Sequence, residues 1–142
     1  LPTGSDDICV CPFHEDCFEG LASGPAIEAR WGEKAENLPV GHPAWAVEAS
    51  HIARAMRSFI CTISPQRIIL GGGVMKQSHL FPMIREKTLA ELNGYVQAPQ
   101  ILEHMDEYIV PVALEGKAGI LGAFVLAERA FNRQETKDAK VP

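Results

Sequence analysis

The sequence predicts an α/β fold, and three observations carry that expectation. Apolar residues step by three and four from Trp45 through Ala49, Ile52, Met56, Phe59 and Ile60 to Ile63, the stripe of one long helix with a buried face. A short run of strand formers, Arg67-Ile68-Ile69-Leu70, feeds directly into Gly71-Gly72-Gly73. Helix signals recur on both sides of that run, so helix and strand alternate as they do in layered α/β domains.

Taken in order, residues 1–17 are polar and rich in turn formers, and read as loop. Ser23-Gly24-Pro25-Ala26 opens a helix: proline is tolerated in a first turn, and Ser23 or Gly24 can cap it. That helix is expected to run to about Trp31 and stop at Gly32. The long helix starts near Pro43 and ends before Pro65, with the strand of residues 67–70 following as a buried strand. Ser78 is expected to cap a further helix with Phe81, Ile84, Leu89 and Leu92 inward, stopped by Asn93-Gly94. Ile101-Leu102 reads as a short strand. Residues 108–114 read as partly strand, with Pro111 counting against a central position. A last helix covers about residues 117–131, and the polar tail 132–142 is expected to fray.

At 142 residues the chain can bury one core. A composition 46% hydrophobic and 22% charged, at net charge −5, is that of an ordinary globular protein and lacks the basic footprint of a nucleic-acid binder. No apolar run reaches the roughly 18–20 residues of a membrane span, and residues 1–7 do not have the form of a signal peptide. The expectation is a cytoplasmic protein without membrane contact.

Three of the four cysteines, Cys9, Cys11 and Cys17, fall within nine residues, around a histidine at position 14. Disulfide frameworks spread their cysteines, whereas clustering with histidine points to metal. Cys11, His14 and Cys17 at three-residue spacing offer two thiols and an imidazole, a donor set for zinc. The plain alternative is free thiols beside a surface histidine. The fourth ligand is open: Cys9, or a histidine preceding Leu1. No general base stands at motif spacing, which favours a structural ion over a catalytic one. Cys61 reads as a small core residue, and His42, His51, His79 and His104 as dispersed core or surface residues.

Glu19 follows Cys17 by two residues, where a metal loop would fix its carboxylate; carboxylates accept from paired hydroxyls, as on a sugar. The plain alternative is a solvated glutamate at a helix start. Gly71, Gly72 and Gly73 after a strand let backbone approach a ligand and offer N–H donors, although a simple strand-to-helix turn would look the same. Gly119 and Gly122 open the last helix near one face, suited either to close packing or to a nucleotide at the helix start, and Lys117 could meet phosphate or solvent.

The stretch from Cys11 through Cys17, with Glu19-Gly20-Leu21-Ala22-Ser23-Gly24-Pro25-Ala26-Ile27-Glu28-Ala29-Arg30-Trp31-Gly32 after it, closely resembles the zinc motif of ROK sugar kinases, in particular bacterial fructokinases. The likeness continues at residues 67–74 and 118–123 and covers nearly the whole chain. The resemblance implies half of an actin-like, ribonuclease H-related two-domain kinase. Such enzymes transfer the terminal phosphate of ATP to a hexose with magnesium. It further implies sugar contact by the Glu19 position, ATP at residues 71–73, a structural zinc completed by an upstream histidine, and frequent dimers.

Three family features are missing: the N-terminal phosphate loop, the aspartate base and the upstream zinc histidine. The chain is therefore expected to be a C-terminal portion lacking its N-terminal half, with no catalytic residue of its own and no activity alone. The rival readings are a sugar-responsive ROK regulator with an N-terminal DNA-binding segment, and a small zinc-stabilised interaction domain.

Overall fold

Two short helices, α1 (Phe18–Leu21) and α2 (Gly24–Trp31), follow an irregular loop that ends at Cys17. The structure is a computed structural model that describes residues 8–114 and 116–138, with side chains through Phe131. Ser23 caps α2 as expected: its Oγ accepts from the Ala26 N–H at 3.4 Å, and Pro25 sits in the first turn. Gly32 ends the helix at φ 71°, a left-handed conformation that costs glycine little, and its N–H reaches the Glu28 carbonyl at 2.8 Å.

A 3₁₀ turn (Ala35–Asn37) leads to α3 (Ala44–Ile63). The free N–H of Ala44 is taken by His42 Nδ1 at 3.1 Å, so this histidine caps the long helix. Ser64 closes it in the left-handed region, and Pro65 forbids continuation. Trp45, Ala49, Ile52, Met56 and Ile60 are buried along one stripe, as the spacing predicts. Each large side chain buried this completely contributes about 1.5–3 kcal/mol. The Trp45 indole N–H is satisfied by the Pro39 carbonyl at 2.8 Å.

The last turns of α3 depart from expectation. Phe59 is 43% exposed and Ile63 67% exposed, and Cys61, expected in the core, is exposed. Cys61 follows buried Ile60, and one step of about 100° carries it off the buried stripe. Phe59 and Ile63 lie on the stripe yet stay exposed, although Phe59 meets Phe18 edge-on at 6.4 Å.

Strand β1 (Ile68–Leu70) pairs in parallel with β2 (Ile109–Pro111), in the register Ile68–Ile109, Ile69–Val110 and Leu70–Pro111. Both strands were legible, but β1 is not buried on both faces: Ile69 is 63% exposed. Among the described residues the sheet has two strands and one covered face. Pro111 stands at the last position of β2, where its missing N–H costs least.

Between the strands run a 3₁₀ turn (Val74–Lys76) and α4 (Leu80–Leu92), then α5 (Pro99–Leu102) and α6 (Met105–Tyr108). Ser78 does not cap α4. The helix starts after His79 with no side-chain cap, and Ser78 supplies only its carbonyl, to the Phe81 N–H at 3.2 Å. Phe81, Ile84 and Leu92 are buried and Leu89 half-buried as expected, and Asn93 at φ 45° ends the helix. Residues 101–102 are helical, not strand: Pro99 starts a single turn after Ala98, and Ile101 is the side chain it buries. Arg85 then ties α4 to β2, with Nε and Nη2 donating to the Ile109 carbonyl at 2.9 and 2.8 Å and Nη2 to the Asp106 carbonyl at 3.0 Å.

The chain divides into two compact units, residues 1–111 and 112–142. The second contains α7 (Ala118–Asp138), which runs past the residue 131 at which the sequence ends it and takes in most of the tail expected to fray. Residues 1–7 and 139–142, at the ends of the expected loop and tail, lie outside the described residues. Among the described residues no helix is long and apolar enough to cross a membrane.

Candidate functional site

The loop before α1 folds back onto that helix, and the Val10 N–H donates to the Gly20 carbonyl at 2.9 Å. This brings Cys11, His14 and Cys17 together, with one ligand atom from each within 4.8 Å of the others. Cys11 Sγ lies 3.4 Å from His14 Nδ1. Cys17 is the N-cap of α1, and its Sγ accepts from the Gly20 N–H at 3.3 Å. The closure depends on residue 20 having no side chain. A β-carbon there would lie 2.3 Å from Cys9 Sγ and 2.9 Å from the Cys11 backbone nitrogen.

The cluster suits a soft divalent ion. Tetrahedral zinc with bonds of about 2.3 Å to sulfur holds its ligands about 3.8 Å apart, so small side-chain adjustments close this trio. The thiols also compete as neighbours. Hydrogen bonding from the Phe13 backbone, with help from His14, draws Cys11 down to about 7. The Gly20 N–H pulls Cys17 the same way, but lost solvation and the nearby Cys11 and Cys9 sulfurs outweigh it and leave Cys17 above the usual thiol value. A cation would relieve this repulsion. Cys9 is placed differently, its thiol donating to the His14 carbonyl at 3.2 Å. It stands beside the trio, not in it. Glu19, in the first turn of α1, is exposed.

A second concave region lies in the same unit, a cleft of about 790 Å³. Its walls are Ser23, Gly24 and Pro25 at the start of α2, and Gly71, Gly72 and Gly73 after β1, with Lys34 and Lys76 also on the lining. Gly72 has φ 106°, which explains one glycine locally. Packing does not explain Gly73, where a β-carbon would meet nothing within 4 Å. The backbone there faces open space that a ligand can approach. Gly119 and Gly122 lie in α7, in the other unit; both are exposed, and a β-carbon at either would also meet nothing within 4 Å.

Sequence reasoning passed over Arg30 and Glu48. Glu48 lines the cleft from α3, is wholly buried, and has no hydrogen-bond donor to either carboxylate oxygen among the described residues. Burial pushes its carboxyl up to about 7, against the opposing pull of Arg30, whose Nη2 is 3.7 Å from Oε2. The signal was available: Glu48 lies three residues after Trp45 and four before Ile52, a charge on the apolar stripe.

A family model described as "ROK family" matches residues 2–130. The chain is 45% identical to a putative fructokinase of Bacillus subtilis over 87% of its own length and 42% of the relative's. It is 45% identical to a fructokinase of Pediococcus pentosaceus, over 90% of this chain and 43% of the relative. With a fructokinase of Zymomonas mobilis the identity is 35%, over 93% and 43% respectively. The chain thus spans about two fifths of the length of the curated relatives it matches. A match over residues 2–130, joined to an α/β unit with a small parallel sheet and a Cys/His loop where the resemblance expects one, places the chain in the ROK family.

Proposed function

We propose that this chain is the C-terminal portion of a cytoplasmic, dimeric, actin-like hexose kinase that uses ATP and magnesium to convert fructose to fructose 6-phosphate. The observation that carries the reading is the joint presence, in one unit, of the Cys11, His14 and Cys17 cluster beside Glu19 and of a glycine-lined cleft. Relatives named as fructokinases, similar along nearly the whole chain, support it.

The roles follow from the chemistry of each part. Bound at Cys11, His14 and Cys17, zinc would supply a rigid structural cross-link, with the fourth position filled from the N-terminal half. Glu19, held at the start of α1, accepts hydrogen bonds from a pair of sugar hydroxyls and orients the ring. The N–H groups of residues 71–73 and the start of α2 take the nucleotide, with Lys76 offsetting phosphate charge. Gly119 and Gly122, at the start of α7, are further candidate nucleotide-contact positions of the intact enzyme. Phosphoryl transfer needs positioning and charge stabilisation above all, and the proton acceptor for the sugar hydroxyl belongs to the N-terminal half.

The test is Glu19→Gln in the intact enzyme. It removes the charge but keeps the shape, and KM for fructose should rise by roughly tenfold or more while KM for ATP holds. Equal effects on both substrates, or none on fructose, would remove Glu19 from the sugar site.

A further inference from the structure

We propose that Arg30 and Glu48 are a positioning pair that couples the cluster of Cys11, His14 and Cys17 to the glycine-lined cleft, so that metal on the loop tightens nucleotide binding. This inference rests on the reading of the cluster as a metal site and of the cleft as a nucleotide site.

Arg30 bridges three segments. Its side chain is only 4% exposed, and Nε donates to the Ala26 carbonyl of α2 at 3.1 Å. Nη2 donates to the Leu21 carbonyl at the end of α1 and stands 3.7 Å from Glu48 Oε2 on α3. The Leu21 N–H is in turn bonded to the Cys17 carbonyl at 3.0 Å. One turn of helix therefore separates a candidate metal ligand from the guanidinium.

On the other side, Glu48 stands in the cleft wall, and Arg30 is the counter-charge that faces it. Fixing Cys17 fixes α1, the Leu21 carbonyl holds the guanidinium, and the guanidinium faces Glu48 and is tied through the Ala26 carbonyl to the start of α2, whose residues 23–25 form the cleft rim. Arginine is suited to this, because its planar fork can serve two carbonyls and a carboxylate at once.

A pair that served stability alone could be replaced by apolar side chains of similar volume without changing how the sites communicate. The experiment uses that contrast. The intact enzyme, whose chain includes these 142 residues, is prepared metal-free and zinc-loaded, freed of excess metal by gel filtration, and titrated calorimetrically with magnesium–ATP at about pH 8, where Glu48 is ionised. The same titrations are run on Arg30→Met/Glu48→Leu and on Arg30→Lys.

Zinc should tighten magnesium–ATP binding on the order of fivefold in the unsubstituted enzyme, and the ratio should fall to about one in the folded double variant. Arg30→Lys keeps the charge without the fork and should lose most of the ratio; it decides the matter if the double variant does not fold. A ratio of about one in the unsubstituted enzyme, or an undiminished ratio in the folded variants, overturns the coupling and leaves the two sites standing. Failure of the unsubstituted enzyme to bind magnesium–ATP at all overturns the nucleotide reading of the cleft and the coupling with it.

Discussion

Glu48 is the residue whose placement has the largest measurable consequence. Its carboxyl titrates near 7 in the folded chain because burial disfavours the anion, and nearer the ordinary glutamate value when unfolded. Between those two values the folded state binds the extra proton. This group therefore lends stability in acid that is lost as pH rises through its folded value. The swing is on the order of 3 kcal/mol between about pH 4.5 and pH 8, and Glu48→Gln should flatten it. Chemical denaturation across that range checks this; a slope unchanged by the substitution contradicts it. Sequence alone showed that a charge interrupts the stripe of α3. It could not show that Arg30, eighteen residues earlier, would face it, because α1, α2 and α3 must first pack together. Cys61 differs, because its position one step past Ile60 already carries it about 100° off the stripe, and the period alone tells against a core place.

Among the elements, those announced by their ends were the most legible. Ser23 and Gly32 bound α2, and Pro43 and Pro65 bracket α3, because caps and prolines act locally. Residues 101–102 misled because two apolar residues suit either a strand or a single buried turn, and packing around Ile101 decides. The cluster of Cys11, His14 and Cys17 was legible as a set of donors. Its assembly depends on α1 packing on the preceding loop, which the spacing of cysteines does not reveal. Gly20 is the contact point of that packing, since any β-carbon would press on Cys9 and on the Cys11 backbone. Gly20→Ala should spread the loop and weaken zinc affinity by roughly tenfold or more, while α3 and α4 remain folded. Competition with a chromophoric chelator measures the affinity, and circular dichroism reports the helices. Unchanged affinity would mean that the cluster does not need this close approach.

At the scale of the molecule, the chain presents parts that look outward. Among the described residues the parallel sheet has two strands, and parallel sheets are normally covered on both faces. Ile69, Phe59 and Ile63 remain exposed among the described residues. The chain covers about two fifths of relatives similar to it along almost all of its length. On the proposed reading, this portion contributes a sugar-facing glutamate, a metal loop and one side of a nucleotide cleft, and the reacting base belongs to the N-terminal half. Phosphorylation of fructose by ATP, assayed with the 142-residue chain and with the intact polypeptide that contains it, tests that division most directly. The account predicts fructose 6-phosphate from the intact protein and none from the chain alone. Product from the isolated chain, or an intact protein that phosphorylates no hexose, would contradict it.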